Sequence, residues 1–151
     1  MTNAGGAPNQ FVGDGVMAIF GTRTGPKQAC AQAIAAAKLI RERLDEMNRT
    51  LENELADPIA IGIGVHAGNA ILGEIGYGDR FILTAIGDTV HVAARLQDLT
   101  KEYKCEVIVS DAVLTTSGVK VATAGEHDVQ VRGRDAPVRI HVVAAAQPAA
   151  A

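Results

Sequence analysis

The chain has 151 residues, 48% of them hydrophobic and 21% charged, with a formal net charge of −3. That composition suits one soluble α/β or α+β domain with a buried core. With no block of like charge, and no apolar run near the ~20 residues a membrane span needs, nucleic acid and the bilayer are both set aside as partners.

Residues 1–8, MTNAGGAP, are small and polar and read as a loose lead-in. They have neither a basic start nor an apolar core, so a cytoplasmic location, or the cytoplasmic part of a larger protein, is expected. Residues 10–13 and 15–20 read as two strands around Gly13-Asp14-Gly15, because Asp-Gly favours the positive φ of two-residue hairpin loops. After the loop GTRTGP, Pro26 suits the first turn of a helix. Cys30, Ile34, Ala37, Ile40, Leu44, Met47, Leu51 and Leu55 then recur in steps of three and four, one face of a long amphipathic helix that Asp57-Pro58 would end. Residues 59–68, 69–76 and 80–87 form an apolar, β-rich cluster. Asp88 is placed as the N-cap of a second helix over 89–103, whose stripe is Val92, Leu96, Leu99 and Tyr103. CEVIVS, 105–110, reads as a buried strand, residues 111–116 as one or two helical turns, and residues 127–133 and 138–144 as a closing antiparallel pair. The tail, 145–151, is expected to be disordered. The domain proper is therefore expected over residues 9–144.

Several side chains invite a chemical reading beside a plain one. Asp14 is either a turn residue bonding its own backbone or a hard oxygen ligand on a glycine-flanked tip that phosphate and Mg²⁺ can approach. His91 and Arg95, four apart, share a helix face off the core stripe; that face is either solvated or turned to an anionic substrate, for which the planar guanidinium fork is suited. Arg132 and Arg134, at a strand end, are either solvated or phosphate contacts. His66, on an apolar strand, reads as a hydrogen-bonded core histidine, and Cys30 and Cys105, outside any metal-ligand spacing, as buried thiols. GEIGYG, 73–78, lacks both dinucleotide and Walker spacing and reads as a strand-end turn.

Taken in order, QFVGDGVMAIFG, IGIGVHAGNAILGEIG and TAIGDTVHVAARLQDLTKEY resemble the catalytic domain of class III adenylate/guanylate cyclases, over roughly residues 5–143. The resemblance implies a ferredoxin-like α+β fold with two main helices on one face of the sheet. It also implies a head-to-tail homodimer or cyclase-domain heterodimer with active sites in the seam. Two aspartates of one subunit hold Mg²⁺ or Mn²⁺ on a nucleoside triphosphate, whose 3′ hydroxyl attacks the α-phosphate. Asp14 matches the second metal aspartate. Arg95 matches the transition-state arginine, and Arg132 or Arg134 the position that holds the outer phosphates. Gln10 and Thr84 match the base-recognition pair and favour ATP over GTP. His91 stands where the family has asparagine.

The family's first strand, Phe-x-Asp-Ile with the first metal aspartate, has no counterpart here. Its absence would leave a gap between the strand ending at Phe20 and the one starting at Ile59: either those strands close up, another chain fills the gap, or, as favoured, this sequence is a fragment of a longer polypeptide. Two functions follow. One is a purine nucleotide cyclase domain, impaired as it stands. The other is a non-catalytic cyclase-homology module serving regulation or dimerisation in a multidomain signalling protein.

Overall fold

The computed structural model describes residues 5–77 and 80–144, without the side chains of Gln10, Val12 and residues 80–83. The expected disordered tail, 145–151, lies outside the described residues, as do residues 1–4 of the lead-in. The lead-in is shorter than expected: Gly6 is buried under the Phe20 ring and the first strand begins at Ala7.

Ala7–Val12 (β1) and Gly15–Ile19 (β2) form an antiparallel hairpin in which Val12 faces Gly15. The loop is therefore Gly13-Asp14, and Gly13 carries the positive φ, +61°. That is the sign pattern of a type II′ turn, which takes glycine at its first central position. The Asp-Gly pair expected to form the turn does not form it; Gly15 already belongs to β2.

Pro26–Thr50 (α1) has Pro26 in its first turn, where a missing N–H costs nothing. Cys30, Ala37 and Leu44 of the expected stripe are buried, but Met47 and Leu55 are not. The helix stops at Thr50, seven residues before Asp57-Pro58. Asn48 clips the returning chain, donating from Nδ2 to the Ile59 carbonyl at 2.8 Å and accepting the Ile59 N–H at 2.9 Å. Arg41, mostly buried, ties the helix to the main sheet through Glu106 at 2.6 Å and the Ala144 carbonyl at 3.2 Å.

The main sheet has the order β3-β6-β8-β7: Ile63–Val65 (β3), Val107–Ser110 (β6), Val138–Val143 (β8) and Thr123–Val129 (β7). Among the described residues only β3 and β6 run parallel. Between them in sequence come Ile71–Tyr77 (β4), Arg80–Ile86 (β5) and the helix Asp88–Glu102 (α2); Asp111–Ser117 (α3) follows β6. Of residues 59–68, read as strand, only 63–65 pair. The strand cluster expected over 59–87 is split, since β4 and β5 form a separate antiparallel hairpin.

The fold is mixed α+β as expected, with one difference: α1 and α2 do not share a face. Side chains alternate along β6. Ile108 packs with Val92, Leu96 and Leu99 of α2, while Val107 and Val109 pack with Cys30 and Ala37 of α1 and Val113 of α3. Glycines on and just before β3 make this possible. A β-carbon at Gly62 would strike Thr100, and one at Gly64 would strike the backbone of Ala93, Leu96 and Gln97, so α2 lies directly on the β3 main chain.

The gap expected from the absent first strand is present. Neither β2 nor β3 has a strand neighbour on its second edge among the described residues. A cavity of about 550 Å³ lies between them, lined by Met17, Ile19, Ala33, Ala37, Val65 and Ala93 among others. It therefore reaches from the α1 layer to the α2 layer through the plane of the sheet.

Candidate active site

Asp14 stands exposed at the tip of the β1–β2 loop. Gln10 pairs across the hairpin with Met17; its side chain lies outside the described residues. Thr84 is half-buried on β5 opposite Gly73. β1 packs beside β5, so the strands carrying Gln10 and Thr84 are brought together.

The second group is organised by α2. His91 is exposed and Arg95 half-exposed, on a face clear of Val92, Leu96 and Leu99, which are 0–3% exposed. Arg95 reaches down its own helix, with Nη2 3.0 Å from Glu102 Oε1. Asp88 does not act as the expected N-cap. Gly87 occupies that place at φ +144°, with no side-chain cap. The Asp88 carboxylate instead faces Arg134, Nε to Oδ2 3.4 Å. The loop bearing Arg134 is further held by Gln130 Nε2, which donates to the Arg134 carbonyl, and by the Arg134 N–H, which donates to the Val131 carbonyl at 3.1 Å. Arg132 points into solvent. Of the two basic candidates, Arg134 is the one placed against α2.

His66, just past β3, has Nδ1 2.8 Å from the Oγ of fully buried Ser110, which bears out the hydrogen-bonded reading. Burial holds its pKa below the ordinary value, Arg134 adds to the depression, and Asp88 opposes it. Farther along the sheet, buried His141 lies 2.9 Å from Asp111 and 3.4 Å from Glu126. The His141 hydrogen bond keeps the Asp111 carboxyl below its usual range. Cys30 is buried as expected; Cys105 is only partly so. Burial pushes both thiols up, away from the reactive thiolate.

These shifts set the sign of a pH effect. A histidine whose folded pKa is depressed takes up its proton more readily when unfolded, so its share of stability is full above ~6.5 and falls as pH drops below it. Asp111 also loses its contribution on acidification, but only below ~3.9. Urea unfolding at pH 7.5 and pH 5.5 is expected to show lower stability at the acid value. His66→Gln should flatten that difference, and an unchanged slope in this variant would contradict the assignment.

A divalent cation needs several oxygen ligands. Among the described residues no group of three or more His, Cys, Asp or Glu side chains could hold a metal ion. Asp14 offers one exposed carboxylate, which fits one coordination position and not a closed site. No helix among the described residues is long and apolar enough to cross a membrane.

Reading the sequence missed Glu102, Asp88 and Ser110 as partners. Seven residues are about two helical turns, so Arg95–Glu102 had a signal in the spacing. Asp88–Arg134 and His66–Ser110, 46 and 44 residues apart, had none.

The family model for the adenylate and guanylate cyclase catalytic domain matches residues 9–144, and the chain belongs to that family. It is 31% identical over 149 residues to an adenylate cyclase of Anabaena cylindrica, an alignment covering 94% of this chain and 29% of that enzyme. The chain thus spans under a third of that relative's length. Among solved structures it superposes on the guanylyl cyclase Cya2 with a TM-score of 0.82 at 28% identity, covering 94% of this chain and 71% of the other. On the adenylyl cyclase CyaB from P. aeruginosa the TM-score is 0.81 at 24% identity, with 97% and 75% covered; this likeness shows the fold alone.

Proposed function

We propose that the chain supplies a purine nucleotide cyclase site that converts ATP, and less readily GTP, to the 3′,5′-cyclic monophosphate and pyrophosphate at a two-subunit seam. The observation that carries this reading is α2. Its His91–Arg95 face is left free of the core while its other face is sealed by Val92, Leu96 and Leu99. In this reading Arg95 stabilises charge on the α-phosphate. His91 donates a hydrogen bond in place of the family's asparagine, Arg134 holds the outer phosphates, and Gln10 with Thr84 meets the base. Asp14, which sits on a separate tip, would be one ligand of Mg²⁺ or Mn²⁺ on the triphosphate. Related structures at 20% identity are described as a guanylate cyclase domain with GTP and a rhodopsin-guanylyl cyclase core with an ATP analogue.

A partner subunit is part of the proposal, as a homodimer or a cyclase-domain heterodimer. The β4–β5 hairpin exposes Ile71 at 73%, Ile75 at 56% and Ile86 at 50%. On paired strands these three share one face with Thr84. An apolar patch of that kind, next to polar candidates, marks an interaction surface. Domain limits of 9–144 and a cytoplasmic setting belong to the same proposal.

His91 in place of the family's asparagine, and Gln10 at the base-recognition position, favour a second reading, a cyclase-homology module without turnover. The expected result with Mn²⁺ and ATP is little or no cyclic nucleotide from this chain alone, with sedimentation velocity reporting its assembly state. Robust turnover that disappears in Asp14→Ala would rule out the module reading and favour the enzyme.

A further inference from the structure

Both arginines assigned to the triphosphate are already paired, and both partners lie on α2. Arg95 pairs with Glu102, the last residue of the helix, and Arg134 with Asp88, the first. We propose that Glu102 and Asp88 are resident counter-ions of the nucleotide site, which the substrate's phosphates must displace from Arg95 and Arg134. This deepens the proposed function and rests on its assignment of the two arginines.

For Glu102 the geometry argues against a merely structural role, whereas Asp88, in the first turn, also suits the macrodipole. α2 is anchored by Val92, Leu96 and Leu99, so it does not need surface ion pairs to stay docked. A carboxylate in the last turn of a helix faces the negative end of the macrodipole, which disfavours it there. Glu102 is therefore poorly explained by helix stability alone. Its effect on Arg95 is directional. It draws the guanidinium toward the helix C-terminus, away from His91, one turn in the other direction, and away from the α2 N-terminus where Arg134 is docked.

The exposures suit exchange. The side chains of Arg95 and Glu102 are 42% and 56% exposed, and those of Arg134 and Asp88 are 35% and 53%. Pairs this open are weak and salt-screened. A multiply charged triphosphate outcompetes them, whereas a cyclic monophosphate carries one negative charge and cannot hold both arginines. The returning carboxylates then favour product release. The two acids thus set a charge threshold for what stays bound.

The test is a set of double-mutant cycles on ATP binding, measured by calorimetry with Mg²⁺ at low salt. Glu102→Gln is expected to tighten ATP binding about two- to five-fold, the range an exposed ion pair allows. The gain should shrink in high salt and vanish in the Arg95→Ala background. Asp88→Asn should behave likewise, with its gain lost in Arg134→Ala. Glu46→Gln, which frees Arg43 on the outer face of α1, should leave affinity unchanged. No gain in Glu102→Gln, or the same gain with Arg95 removed, overturns the counter-ion role. If Arg95→Ala and Arg134→Ala do not weaken ATP binding, the assignment of the arginines fails, and the proposal fails with it.

Discussion

Gly64→Val is expected to lower the unfolding free energy by about 3 kcal/mol, the upper end of the usual range for overpacking a core. The position is central to β3, the short strand on which α2 lies. An added β-carbon there meets the main chain of Ala93, Leu96 and Gln97. A flexible side chain could step aside, but a helix backbone cannot without moving Val92 and Leu96, which are 0% exposed. The strain then spreads into the core with Ile108 and Ile140. Gly73→Ala is the matching control. A β-carbon at Gly73 has nothing within 4 Å, so the change should stay within about 0.5 kcal/mol, as for other substitutions that touch nothing. Urea unfolding of the two variants beside the parent checks both. Equal stabilities would mean that α2 does not rest on the β3 backbone.

Arg95→Ala is expected to lower kcat by about 10²–10³-fold, the cost of removing one preorganised donor from a developing oxyanion. ATP affinity should fall as well, but only a few-fold, the range an exposed ion pair allows. Arg95→Lys keeps the charge but not the two-pronged fork, and should recover only part of the rate. The measurement uses whatever turnover Mn²⁺ and ATP support. Where that is nil, it uses mixed assemblies with a complete cyclase domain whose own matching arginine has been removed. There, product formation depends on the arginine this chain brings. An Arg95→Ala mixture as active as the unmodified one would remove Arg95 from the chemistry.

Much of this molecule can be read along the chain. The stripe Cys30, Ala37, Leu44 foretold α1, and Val92, Leu96, Leu99 foretold α2, because a helix that buries one face must repeat its apolar residues every three or four positions. CEVIVS foretold a buried strand, and Val107–Ser110 is buried throughout. The residues marked for chemistry at 14, 91 and 95 lie outside the core, as their spacing implied. The gap between β2 and β3 was legible too, from the strand that the resemblance places between them.

What sequence spacing could not supply were relations between distant segments. The face of the sheet that α1 and α2 each cover depends on how the chain crosses from β3 to β6. The local clue, glycine alternating with isoleucine and valine over 62–65, acquires its meaning only once α2 is seen lying on it. Ion pairs such as Asp88–Arg134 follow from a loop meeting the start of α2, and local propensity at either one carries no trace of the other. Helices, strands and candidate side chains were therefore set by local periodicity and stereochemistry. The pairing of each arginine with a carboxylate of α2 was decided by packing, since only the folded chain sets which charges meet.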